Sequence, residues 1–271
     1  MTDRRKKRHT AGWILVFLLG CDLAPLFFTL FYRFGLYNPT GLAEAFEASG
    51  YYEERETAME ERFRDCLLSA GLSEDFLSFE DYRDAFLRSL RDQVYGRGGT
   101  APELSGLSIA GDMEQRLDEP GNTALSLKAQ GGILRLSGEM GKAFHEEGTV
   151  PGLAEWQEQR AEMEAVFPFL AACLFGLSAL GSIFLYFLQK RRRKFWYRLG
   201  AALLLGSLLY GFLGGTVYLS AFRGGMPVLG AEAVMELYRK SVAAAGLAIG
   251  GVGLLGAALS AAAGMALKSK G

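Results

Sequence analysis

The sequence predicts an all-α membrane protein: a four-helix transmembrane bundle with a helical extracellular domain inserted between the first and second spans. Three observations lead there. Four apolar runs, 11–32, 165–188, 199–222 and 241–267, are each long enough to cross about 30 Å of hydrocarbon as a helix, and only the first holds a charge, Asp22. Basic residues gather at Arg4, Arg5, Lys6, Lys7 and Arg8, at Lys190–Lys194 with Arg198, and at Lys268 and Lys270. Four crossings bring all three clusters to one face, and excess Lys and Arg marks that face as cytoplasmic. Finally, the 132 residues of 33–164 show helical spacing and no period-two alternation.

In chain order, residues 1–10 form a basic cytoplasmic tail and 11–32 the first span. The segment 33–164 is the outer domain, and 165–188 the second span. The loop 189–198, with Trp196 and Tyr197 suited to the headgroup belt, returns the chain at the cytoplasmic face. Span 199–222, an outer loop 223–240, span 241–267 and a cytoplasmic tail 268–271 complete the chain, so both termini are cytoplasmic. The loop 223–240 carries three basic and two acidic residues, far less bias than 189–198. Trp13 suits the inner belt, and Tyr32, Tyr218 and Tyr238 the outer one. The fourth span is mostly Ala and Gly, poor in Leu, and is expected to pack centrally, because such a segment inserts only marginally alone.

Within the outer domain, Met59, Phe63, Cys66, Leu67 and Ala70 follow three-and-four spacing, and Gly71 is the expected stop. Ser78, with Asp81 three residues on, reads as the N-cap of a helix whose core face is Phe79, Tyr82, Phe86, Leu90 and Val94. Residues 96–102 form a loop. Shorter helices follow at about 107–119, stopped by Glu119-Pro120-Gly121-Asn122, and about 132–147, with Ile133, Leu136, Met140 and Phe144 inward. A last amphipathic helix from about Gly152, carrying Leu153, Trp156, Arg160 and Met163, is expected to run into the second span.

The net charge of −1 conceals a segregation. Residues 33–164 hold 26 acidic and 13 basic side chains, a balance of −13. Such a domain is a poor partner for nucleic acid or an anionic lipid surface and suits cations or basic protein faces. Carboxylates such as Glu53-Glu54, Glu60-Glu61 and Glu146-Glu147 also read simply as a solvated face. Cys21 and Cys173 lie in spans, leaving Cys66 alone in the outer domain, so no disulfide forms there. With no Asn-x-Ser/Thr acceptor anywhere, the pattern points to a bacterial plasma membrane.

Asp22 is the sharpest chemical feature. An acid at mid-span costs about 3 kcal/mol, while the twelve Ile, Leu, Val and Phe residues around it return roughly 5 in sum, so the span inserts regardless. It reads either as a functional intramembrane acid or as an N-cap restarting the helix near Pro25. With no basic partner in any span, a protonated Asp22 bonded to a Ser or Tyr hydroxyl of another span is the favoured arrangement. The run Phe17-Leu18-Leu19-Gly20-Cys21 looks like a lipobox that would acylate Cys21. The apolar stretch after Cys21 instead favours an uncleaved anchor.

His145, the only histidine of the outer domain, could serve as a base beside Glu146 and Glu147. A helix-end residue is the ordinary explanation. No paired spacing suggests a metal site, and no nucleophile elbow, P-loop or dinucleotide fingerprint is present, so no cofactor and no catalytic residue are assigned and the balance leans away from an enzyme. Ladders of small residues, Ser207, Gly211 and Gly215, then Gly246 and Gly250, then Gly253, Ala257 and Ala261, suit close helix approach within the chain, with self-association or a path along the ridge as the alternatives.

The segment AFEASGYYEERETAMEERFRDCLLSAGLSEDF, with DAFLRSLRDQVYG and EMGKAFHEEGTVPG after it, resembles the outer domain of uncharacterised multi-spanning membrane proteins of Gram-positive bacteria. The order of one span, a large outer domain and three spans is also similar to the permease subunit that regulates cell-wall hydrolases, without a motif of that family. The resemblance carries no catalytic residues. The spans, the acid surplus and the small-residue ladders lead to membrane lipid and an envelope or membrane protein, or a second copy, as the expected partners. The expected function is a non-enzymatic envelope protein that binds a partner or senses a condition through its acidic domain. The alternative is a transporter or channel component, or a membrane-embedded enzyme, using Asp22.

Overall fold

The structure, a computed structural model, describes residues 3–96, 106–117, 130–189, 191–223 and 232–269. The loop expected to continue through Pro102, the stop at 119–122, residues 224–231 of the loop 223–240, Lys190 and Lys270 lie outside the described residues. Every regular element among those described is helical. The helices are α1 (Asp3–Phe31), α2 (Pro39–Ala48), α3 (Tyr51–Ser69), α4 (Glu80–Tyr95), α5 (Gly106–Leu117), α6 (Gln130–Gly148), α7 (Leu153–Leu188), α8 (Arg192–Arg223) and α9 (Glu232–Ser269). A π-turn, Tyr32–Leu36, follows α1, and a 3-10 turn, Glu74–Phe76, precedes α4. Helices α1, α7, α8 and α9 are each long and apolar enough to cross a membrane. The chain divides into two compact units, one of residues 1–38, 156–226 and 239–271, the other of 39–155 and 227–238.

The first unit brings α1 against α8 through backbone proximity. A Cβ built on Gly206 would lie 2.8 Å from Leu23 Cβ and 3.3 Å from the Gly20 carbonyl, and one on Gly20 would lie 2.7 Å from the Leu205 side chain. Only glycine permits that approach, and in lipid it is van der Waals contact that holds such helices together. Helices α8 and α9 meet in the same way, with Gly200 facing the Ala257 carbonyl (3.0 Å from a built Cβ) and Gly253 facing Ser207 and Phe27. The expectation of a central fourth span is corrected. In the most apolar stretch of each helix, 44% of α1 residues are buried against 17% in α9. The large side chains of α1, notably Val16, Leu19, Phe27 and Phe31, supply the packing core, while the small residues of α9 let it lie close without enclosing it.

The second unit is a helical domain around aromatic side chains. Phe63 of α3, Tyr82 and Phe86 of α4, Phe79 just before α4 and Phe144 of α6 form a cluster with ring centroids 5.7–6.3 Å apart, mostly tilted or edge-on. The three faces read from sequence spacing at Met59, Phe63 and Leu67, at Tyr82, Phe86, Leu90 and Val94, and at Ile133, Leu136, Met140 and Phe144 are buried in this core. Gly71 and Gly96 stop their helices with φ of 74° and 67°, where a side chain would be strained. The expected N-cap at Ser78 is corrected: Phe79 holds that position without a side-chain bond, and Ser78, one residue earlier, accepts the Glu80 N–H at 3.3 Å. Helix α2 has no counterpart among the sequence expectations, although Asn38-Pro39 is a start signal with Pro at the first position.

Candidate functional site

Asp22 lies on α1 at a point where the helix is continuous, so it caps nothing. Asp3–Phe31 is one helix with Pro25 inside it, and Thr29 donates its hydroxyl to the Pro25 carbonyl at 2.9 Å. The N-cap reading of Asp22 is thereby corrected: Pro25 removes one backbone donor, and the helix absorbs the loss without restarting. The Asp22 side chain is half-buried and its Oδ2 accepts the Ser178 hydroxyl of α7 at 2.6 Å. Ser178 itself is buried. Among the described residues it is the only hydrogen-bond partner of the carboxyl group, leaving Oδ1 open.

The carboxyl group lines a groove of about 340 Å³ whose walls are Leu15, Leu18 and Leu19 of α1 and Leu177, Leu180, Gly181 and Phe184 of α7. Gly181 makes the groove possible. A Cβ there would stand 3.1 Å from Leu19, so the two helices close beneath the groove while Leu18, Leu177, Leu180 and Phe184 stay exposed on its rim. Leu185, Val16, Leu19 and Ala202 form the buried floor of this part of the unit. Cys21, beside Asp22, points to the exterior of α1, as Cys173 does on α7.

The small-residue ladders separate into two sets. Gly253, Gly246 and Gly250 face neighbours: a built Cβ would meet Ser207 and Phe27, Phe31 at 3.0 Å, and Tyr210 at 3.4 Å respectively. Ala257 is buried against Gly200. Gly211 and Gly215 have nothing within 4 Å of a built Cβ and line an open groove with Tyr210, Gly214 and Gly246, in which Tyr210 donates its hydroxyl to the Gly246 carbonyl at 3.0 Å. Close approaches at Gly20, Gly200 and Gly206 were not legible as part of any ladder. Gly20 and Gly206 stand opposite leucines and Gly200 opposite the backbone of α9, and spacing alone does not reveal that.

At one end of α1, Arg198 of α8 is buried, its guanidinium 5.7 Å from the Trp13 ring centroid, and it donates to the His9 carbonyl at 3.3 Å. Gly12 is the residue that makes room for it. At the other end, Trp156 donates its indole N–H to the Leu36 carbonyl at 3.3 Å, and Tyr32, Tyr37, Trp156 and Phe167 stand ring against ring.

In the helical domain, Tyr82 donates to Asp112 Oδ2 at 2.5 Å beside a polar cavity of about 350 Å³ lined by Leu77, Asp81, Tyr82, Asp112, Gln115 and Arg116. Burial, reinforced by the bond to Asp112 and its charge, pushes the Tyr82 phenol well above its ordinary value. Arginines pair with carboxylates of the same domain, mostly at its surface: Arg55 with Glu147 at 2.7 Å, Arg62 with Glu146 and Glu147, Arg64 with Glu60 and Glu74, and Arg83 with Glu56 and Glu80. His145 is exposed in the last turn of α6, with its backbone carbonyl taken by Thr149. Burial raises the Cys66 thiol, and the carboxylates of Glu139 and Asp65 add to the shift. No group of three metal-ligating side chains converges among the described residues. Comparisons with protein-family models, curated proteins and solved structures find no match.

Proposed function

We propose that this chain is a non-enzymatic protein of a bacterial plasma membrane, with both termini cytoplasmic, whose acidic helical domain stands outside and binds a basic face of another envelope protein. The observation that supports it is the acid surplus: 26 acidic against 13 basic residues in 33–164, with Arg55, Arg62, Arg64 and Arg83 already engaged by carboxylates of the same domain. Those arginines are already counted in the balance, so the carboxylates in excess of them leave the surface a negative field that selects and steers a positive partner. The four apolar helices, arranged as a bundle, anchor the domain to lipid. This matches the sequence resemblance to multi-spanning proteins with a helical outer domain.

Photo-crosslinkers placed at exposed positions of α3 in native membranes test the reading. A discrete crosslinked product is expected that weakens with added salt and disappears when Glu53, Glu54, Glu60 and Glu61 are changed together to Gln. A product insensitive to both changes overturns it. A second reading, transport or membrane-embedded chemistry at Asp22, draws on the Ser178 bond and its lipid-facing groove. In that case Asp22→Asn abolishes the phenotype and the α3 substitutions do not.

A further inference from the structure

We propose that the groove between α1 and α7 is the docking site for a transmembrane helix of another protein that carries a Lys or Arg side chain at the depth of Asp22. Three observations converge on it. Asp22 is half-buried with one carboxylate oxygen bound by Ser178 and, among the described residues, no donor on the other. An acid left in that state in hydrocarbon is unfavourable, and a cation delivered from outside the chain relieves it. The groove around it is apolar, with Leu18, Leu177, Leu180 and Phe184 exposed, and α7 is the least covered of the four apolar helices, with 6% of its most apolar stretch buried. That is the anatomy of a helix–helix contact with one side missing: an apolar rim to pack against and one polar group to set register.

Charge decides the occupant. The four apolar runs 11–32, 165–188, 199–222 and 241–267 contain no Lys, Arg or His, so a second copy cannot present a cation to Asp22 at that depth. A metal ion is poorly served by one carboxylate and one hydroxyl, and no third ligand converges among the described residues. A lysine or arginine on a foreign helix satisfies Oδ1, neutralises the site and leaves the Ser178 bond in place. This goes with the partner-binding reading but does not use the acidic domain, so either can fail alone.

The test uses the full chain, donor-labelled and reconstituted in phosphatidylcholine vesicles, with acceptor-labelled Leu-Ala transmembrane peptides carrying Lys, Leu or Glu at the centre. Energy transfer to the Lys peptide is expected to half-saturate at a peptide-to-lipid ratio about tenfold lower than for the Leu peptide. Asp22→Asn and Asp22→Leu should both remove that preference, while Ser178→Ala should keep it, and helicity by circular dichroism verifies that each variant is folded. Equal transfer to Lys and Leu peptides overturns the proposal. So does a Glu peptide that matches the Lys peptide, or transfer between wild-type copies that Asp22→Asn abolishes, since either result means that a protonated acid pairs with another acid.

Discussion

A methyl group at Gly206 would fall 2.8 Å from Leu23 Cβ and close to the backbone of α1, with no flexible side chain able to yield. Gly206→Ala is therefore expected to lower stability by about 2 kcal/mol in a detergent denaturation series. Gly211→Ala and Gly215→Ala, with open space at the same distance, should change it by less than about 1 kcal/mol, and upward through helix propensity. Equal effects at the three positions would show that the small residues act through the helix itself and not through its neighbours. Tyr52 makes a separate case. Its hydroxyl is buried without a partner, with Arg91 over the ring at 5.4 Å, and desolvation pushes its phenol well above the ordinary value. Tyr51 and Tyr82 are raised too, by burial first. A phenol raised on folding favours the folded state fully below the unfolded value of about 10 and loses that contribution as pH climbs above it, by about 1.4 kcal/mol per unit. Alkaline unfolding of the domain should thus coincide with the rise of phenolate absorbance. Tyr52→Phe should add about 1 kcal/mol at neutral pH and make the alkaline decline shallower.

Among the elements, α7 shows what a single turn can secure. Its Trp156 reaches the Leu36 carbonyl in the π-turn after α1, where backbone groups left out of the helix ladder need partners. Trp156→Phe keeps most of the ring packing and removes the donor, so a loss of about 1 kcal/mol is expected in the same denaturation series. Periodicity exposes α3, α4 and α6 because each has one apolar stripe and a glycine at or near its end, and Gly71 and Gly96 take the left-handed conformation that such stops require. It missed α2, whose short run LAEAF is brief enough to pass for a linker. It also placed α9 at the centre from composition, when burial follows the size of the side chains a helix presents: Phe27 and Phe31 of α1 reach the glycines of α9. Asp22 was legible as a polar group in need of a hydroxyl from another span. That the hydroxyl is Ser178, and not Ser182 or Ser207, depends on the Gly181–Leu19 approach, which is a property of two helices together.

For the whole molecule, packing carries no information on which face of a membrane each end meets. Either orientation buries the same side chains, and the asymmetry must come from charge at the two surfaces. Arg191, just before α8, and Arg192, Arg193 and Lys194 in its first turn are all exposed, without the carboxylate pairing that engages the arginines of the helical domain. Cations in that state are held by an anionic cytoplasmic leaflet at about 1 kcal/mol each, which is enough to bias insertion. Protease added to intact cells should therefore cleave within 33–164 and spare the chain beside Trp196. Replacing the four exposed cations with Asn should produce a second population cut beside Trp196, because the loop signal that agrees with the amino-terminal cluster is then reduced to Lys190 and Arg198 and the second and third spans are held less firmly. Protection of 33–164 in the wild-type chain would place the acidic domain inside the cell. It would withdraw the envelope partner while leaving the Asp22 groove, which lies between the two surfaces, untouched.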